Sequence, residues 1–220
     1  MTETAMKDKP NEWVSISDLM AGVMAVVMLL LVMSVLQKTY SDLKHQQELE
    51  QSSQSQRDKV SHMLSGLKQT LSGTASEGLV AIDVNAQKFT LRDGVFGRGS
   101  ACITDQARQA FSSIEEKVAD FLNEFPKGKV YVEGHTDNLP VSRPVTNFEA
   151  FCTVYDDNFT LSAARAREAR KLITGNLTLT DARRVVVAGY GDSQPIPGVP
   201  PEDARQRRIE VLWVVQDDND

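Results

Sequence analysis

An α/β two-layer domain with a mixed sheet, preceded by one transmembrane helix and a helical linker, is the architecture this 220-residue sequence predicts. Three observations predict it. Residues 19–36 are 18 consecutive uncharged residues, about 27 Å of helix, which matches the hydrocarbon thickness of a bilayer. Residues 37–75 are rich in Gln, Ser, Lys and Glu and read as a linker. Beyond residue 76, apolar runs of period two alternate with apolar stripes of helical period, as strands do with helices.

Taken in order, residues 1–13 form a short N-terminal segment and 14–37 the membrane helix. A cleaved signal peptide is the alternative, but the apolar run is longer than an h-region, lacks a small-residue cleavage site and follows no basic cluster. Lys7 and Lys9 stand against Glu3, Asp8 and Glu12, a weak positive-inside signal; a short cytoplasmic N-terminus is the orientation expected. In the linker, 38–75, Val60, Leu64, Leu67 and Leu71 repeat with 4-3-4 spacing. That spacing suits the seam of a parallel dimer stem or an amphipathic helix lying on the following domain, and the sequence does not choose between them.

The domain, 76–220, opens with LVAIDVN and KFTLRDGVF, which read as a hairpin. Thr104 and Asp105 then cap a helix whose apolar face is Ala107, Phe111, Ile114, Val118, Phe121 and Leu122, ending at Pro126. A strand at 129–134, a helix at 159–176 stopped by Gly175-Asn176, and strands at 183–191 and 207–215 complete the pattern. An apolar fraction of 41% suits a domain with a real core, and a net charge of −6 argues against nucleic acid, whose binders need a clustered positive excess.

On the second long helix, Arg165 shares the face of Leu161, Ala169, Leu172 and Ile173, so it points inward and needs a partner. Asp137, just past a strand end, can supply the carboxylate, either as a structural ion pair or as part of a binding site. His135 raises the question of a metal, but three scattered histidines without Cys/His spacing carry no metal-site signature, and a hydrogen-bonding role is expected for it. Cys102 and Cys152 are the only cysteines. Outside the cytoplasm they would close a loop of about 50 residues, worth roughly 4 kcal/mol on a chain-entropy account; two buried thiols are the alternative. No arrangement of nucleophile and base indicates an enzyme, and no cofactor is expected.

VYVEGHTDN (130–138), Asn158-x-x-Leu161-Ser162-x-x-Arg165-Ala166, FGRGSACITDQARQAF, GYGDSQPI and QRRIEV together resemble the OmpA-like peptidoglycan-binding domain, over roughly residues 79–215. The resemblance implies that Asp137 and Arg165 grip the diaminopimelate of a peptidoglycan stem peptide, supported by Asn158 and by Arg207 or Arg208. Two departures stand out: the long segment 138–157, which would gate or cover the site, and Gln206 in place of the usual Asn.

Asp18 heads the membrane segment. It reads as a helix cap with Ser15 or Ser17, or, because Asp18, Ala21, Gly22 and Ala25 form one stripe of acid and small residues, as an ion-carrying carboxylate at a helix–helix interface. Trp13, Asp18, linker and OmpA-like domain in that order resemble the B subunit of a MotA/MotB-type stator. The resemblance implies a translocated proton or sodium ion on Asp18, a homodimer of B chains inside a pentamer of MotA-like multi-span subunits, an inner-membrane location and a periplasmic C-terminal domain. DLMAGVMAVVMLLLV, with no basic N-terminal tail, is most similar to the B subunits of Zorya anti-phage systems. Flagellar-type motility and a passive cell-wall tether are the alternatives.

Overall fold

The computed structural model describes residues 12–73 and 78–216, without the side chains of 12–15 and 109–110. The segment 1–11 and the side chains of Trp13 and Ser15 therefore lie outside the described residues. The chain divides into two compact units, Met1–Ser52 and Ser53–Asp220.

In the first unit the described residues belong to helix α1, Glu12–Leu71. From Ile16 onward this helix is long and apolar enough to cross a membrane, with a mean hydropathy of 2.8 in its most apolar window. Leu, Met and Val side chains project all round it between Leu19 and Leu36, without the polar face that a surface helix of a soluble domain carries.

The second unit is built on a five-stranded sheet in the order β1-β2-β5-β3-β4. The strands are β1 (Val80–Asp83), β2 (Lys88–Arg92), β3 (Gly128–His135), β4 (Val185–Gly189) and β5 (Arg208–Val215). Only β3 and β4 run parallel, and the other neighbours are antiparallel, so the sheet is mixed as expected. Helices α2 (Asp105–Glu124) and α4 (Asn158–Ile173) pack together on one face. Two single-turn helices, α3 (Phe148–Phe151) and α5 (Leu179–Ala182), lie in the connections.

Period-two patterning decides which side chains meet the helices. Val130 and Val132 of β3 and Ile209, Val211 and Trp213 of β5 are buried against Phe111, Ile114, Val118 and Phe121 of α2. Thr104 caps α2 by accepting from the Ala107 N–H, and Asp157 caps α4 by accepting from the Thr160 N–H. At two positions α4 comes so close to the sheet that only glycine fits. A Cβ on Gly134 would lie 2.0 Å from the Ser162 carbonyl oxygen, and one on Gly189 would lie 2.6 Å from Ala163 Cβ.

Val60, Leu64, Leu67 and Leu71 at the end of α1 are buried in this same core, the first three completely. Of the two uses open to that stripe, the structure shows the amphipathic helix lying on the domain. This corrects the dimer-stem expectation for the residues concerned, because a seam filled by the domain's own core has no face left for a second copy. Lys59 Nζ adds a 2.6 Å ion pair to Glu124 of α2.

Candidate peptide-binding site

The loops at the C-terminal end of β3 and the N-terminal end of α4 converge on a cavity of about 740 Å³. Its floor is Arg165, 3% exposed, held by three contacts. Its Nε donates to the Ser100 carbonyl at 2.9 Å, its Nη1 lies 3.8 Å from Asp93 Oδ1, and its guanidinium carbon sits 5.4 Å from the centre of the Phe96 ring. Burial lowers its proton affinity, with the nearby Asp93 opposing that effect. A guanidinium remains charged at any physiological pH, so Arg165 is a desolvated cation facing a cavity.

Asp137 is buried too, and its partner is Arg207, not Arg165. Arg207 spans two carboxylates, donating from Nη1 to Asp137 Oδ2 at 2.6 Å and from Nη2 to Asp93 Oδ2 at 2.9 Å. Those hydrogen bonds, to Asp93 first, raise its affinity for its proton against the effect of burial. The structural pair of Arg165 with Asp137 considered from the sequence is thus replaced by a chain of alternating charge: Arg165, Asp93, Arg207, Asp137. Asp93, in the short helical turn Asp93–Val95 after β2, was not anticipated.

Asn158, the first residue of α4, donates through Nδ2 to the carbonyls of Asp137 at 3.2 Å and Leu139 at 3.0 Å, fixing the loop that carries the acid. Of the two candidate arginines, Arg207 lines the cavity and Arg208 does not. Arg208 is on the opposite sheet face, bound to Glu210 Oε1 at 2.7 Å and to the carbonyls of Gln206 and Gln194 at 3.2 Å each, which corrects its placement at the site. Strand alternation is the reason, since successive residues point to opposite faces.

The segment 138–157 forms one wall of the cavity through Leu139, Pro140, Val141, Ser142, Arg143 and Val145. It is pinned to the loop before α2. Cys102 and Cys152 form a disulfide, the Phe151 carbonyl accepts from the Ala101 N–H and the Ser100 hydroxyl at 3.0 Å each, and the Tyr155 hydroxyl donates to the Gly99 carbonyl at 2.6 Å. Gln206, 1% exposed, clamps the Pro-rich loop opposite: its Nε2 donates to the Val199 carbonyl at 3.1 Å and its Oε1 accepts from the Ile196 N–H at 2.8 Å. The longer amide thus reaches into a loop that in turn accepts, at Pro201, from the Asn138 N–H.

Asp18 stands exposed on α1, in the other unit, one turn before Gly22. His135 departs from expectation. It is 2% exposed, yet neither ring nitrogen has a hydrogen-bond partner among the described residues. Burial and the Arg208 charge hold its pKa down to about 4, so the ring is neutral.

Four arginines (98, 143, 165 and 207) and two aspartates (93 and 137) line one cavity. A pocket with both signs of charge, each held by buried or bridged side chains, is suited to a zwitterionic ligand. The model of the OmpA family matches residues 95–208, more than half of the chain, and the chain belongs to that family. Among relatives, motility protein B of Bacillus subtilis (strain 168) is 28% identical over 140 residues, 62% of this chain. The chain spans only 45% of that protein. Of solved structures, a MotB-like protein from Desulfovibrio vulgaris superposes with a TM-score of 0.57 at 15% identity, over 74% of this chain and 98% of that one, a likeness of fold. The cell wall anchor of the T6SS from Pseudomonas aeruginosa is 29% identical over 69% of this chain and 97% of that one, with a TM-score of 0.49.

Proposed function

We propose that this chain is the B subunit of an ion-driven stator, a single-pass inner-membrane protein whose periplasmic domain grips peptidoglycan. The observation that carries the reading is the Arg165–Asp93–Arg207–Asp137 cluster inside an OmpA-family domain. The side chain of diaminopimelate ends in an ammonium and a carboxylate on one carbon. The carboxylate suits the planar fork of Arg165, a desolvated guanidinium whose nearby carboxylate, Asp93, is 3.8 Å away and shared with Arg207, and the ammonium suits Asp137. Asn158 and the disulfide-pinned wall hold the loops in place, so little ordering is left to be done on binding.

The membrane half of the proposal rests on α1 and on the likeness to motility protein B. Asp18 carries the proton or sodium ion at the contact with a MotA-like multi-span partner, two B chains stand inside a pentamer of that partner, and the N-terminus is cytoplasmic. Anchorage keeps the B dimer still while the partner ring turns. The output we favour is anti-phage defence of the Zorya type, on the texture of residues 18–32.

The test of the site is sedimentation of the full-length chain with purified sacculi. Arg165→Ala is expected to weaken retention by about tenfold or more, as removal of a buried charged partner of a ligand does. Retention equal to that of the unaltered chain would refute the site.

A further inference from the structure

The face of the sheet turned away from α2 and α4 carries a second cluster that the peptide site does not use. Glu133 of β3 and Glu210 of β5 are directly opposite each other across the antiparallel pair, as are His135 and Arg208. Like charges in register destabilise a sheet unless something neutralises them. Glu210 is provided for: Lys88 Nζ lies 2.6 Å from its Oε2 and Arg208 Nε 2.7 Å from its Oε1. Glu133 is left with the Tyr190 hydroxyl at 3.5 Å, and burial together with Glu210 raises its pKa. His135 stacks on Tyr190 with ring centres 5.4 Å apart, and both its nitrogens are buried and unpartnered among the described residues.

One ligand atom from each of Glu133, His135 and Glu210 lies within 4.8 Å of the others. We infer that these three side chains bind a divalent first-row transition ion such as zinc. A neutral imidazole with a buried lone pair and two carboxylates is a ligand set such ions accept. At zinc bond lengths of about 2.0–2.2 Å the three atoms must draw in by ~1 Å, within the reach of glutamate rotamers. The ion completes what the protein leaves open, giving His135 an acceptor for its lone pair and Glu133 a counter-charge. Lys88 is its competitor. Both Glu210 oxygens are already paired, Oε2 with Lys88 and Oε1 with Arg208, so the ion must displace one cation, and Lys88, at 27% exposure against 8% for Arg208, is the one placed to give way.

The experiment is a zinc titration of the full-length chain, freed of metal by chelator, followed by calorimetry and, with cobalt substituted, by the visible spectrum of the bound ion. One equivalent is expected to bind with micromolar or tighter affinity. Glu133→Gln and His135→Gln are each expected to weaken binding about tenfold or more, the usual consequence of losing a ligand or its support. Lys88→Gln is expected to tighten it several-fold. Should His135→Gln fail to fold, Glu133→Gln alone decides. No binding up to millimolar zinc would overturn the inference, and so would binding unchanged in Glu133→Gln, which would place the ion on other groups such as the exposed His45 and His62 of α1.

Discussion

Arg207 shows what one side chain decides. By joining Asp93 to Asp137 it holds two carboxylates in one cavity, and it leaves Arg165 with a more distant anion at 3.8 Å. Gly134 is decisive in another way. The Ser162 carbonyl lies 2.0 Å from where its Cβ would be, and because that neighbour is helix backbone it has no rotamer to yield. Gly134→Ala is therefore expected to lower stability by roughly 3 kcal/mol, at the upper end of overpacking costs, and to loosen the end of β3 and the Asp137 loop that follows. Chemical denaturation of the full chain measures this, and a midpoint unchanged from the parent would contradict the close approach. Asp137, Arg165 and Asn158 were visible in the sequence because they sit in compact motifs. Asp93 was not, because nothing local marks it: it joins the site through the long-range pairing of β2 with β5, which brings Arg92 opposite Arg208. The choice between Arg207 and Arg208 was legible after all. Ile209, Val211 and Trp213 face the core, so by strand parity Arg207 shares their side and Arg208 the other.

Among the elements, the end of α1 carries the main lesson. A 4-3-4 stripe has the same spacing whether it faces a second helix or a sheet, so Val60, Leu64, Leu67 and Leu71 could not announce their partner. In the structure they belong to the same core as Phe121 and Trp213, whose rings stack 4.8 Å apart. Leu64→Ala is expected to cost about 2–5 kcal/mol, as for other fully buried leucines, and the loss should not depend on protein concentration. Stability that rises with concentration in the parent and not in Leu64→Ala would return the stripe to a dimer interface. The hairpin, α2, β3, α4 and the last two strands were all predicted within a few residues, since each has clear periodicity and a cap or a turn at its ends. The segment 138–157 was the exception. It has no periodicity, and it is held by a bridge between Val145 and Tyr155 together with the disulfide and hydrogen bonds to residues 99–101 some fifty positions away.

At the scale of the whole molecule, an apolar helix able to cross a membrane and an OmpA-family domain with a two-signed cavity occupy one chain. A cell-wall tether needs both parts, but no particular acid at position 18 and no partner in the membrane. A stator subunit needs Asp18 against another protein's helices, where a stripe of small residues permits close approach. The measurement that separates them is purification of the tagged full-length chain from its native membrane in gentle detergent, followed by stoichiometry of what comes with it. The stator account predicts a multi-span partner in fixed molar excess over this chain. Recovery of the chain alone, or as a bare dimer, would contradict it and leave Asp18 as a helix cap on a cell-wall tether.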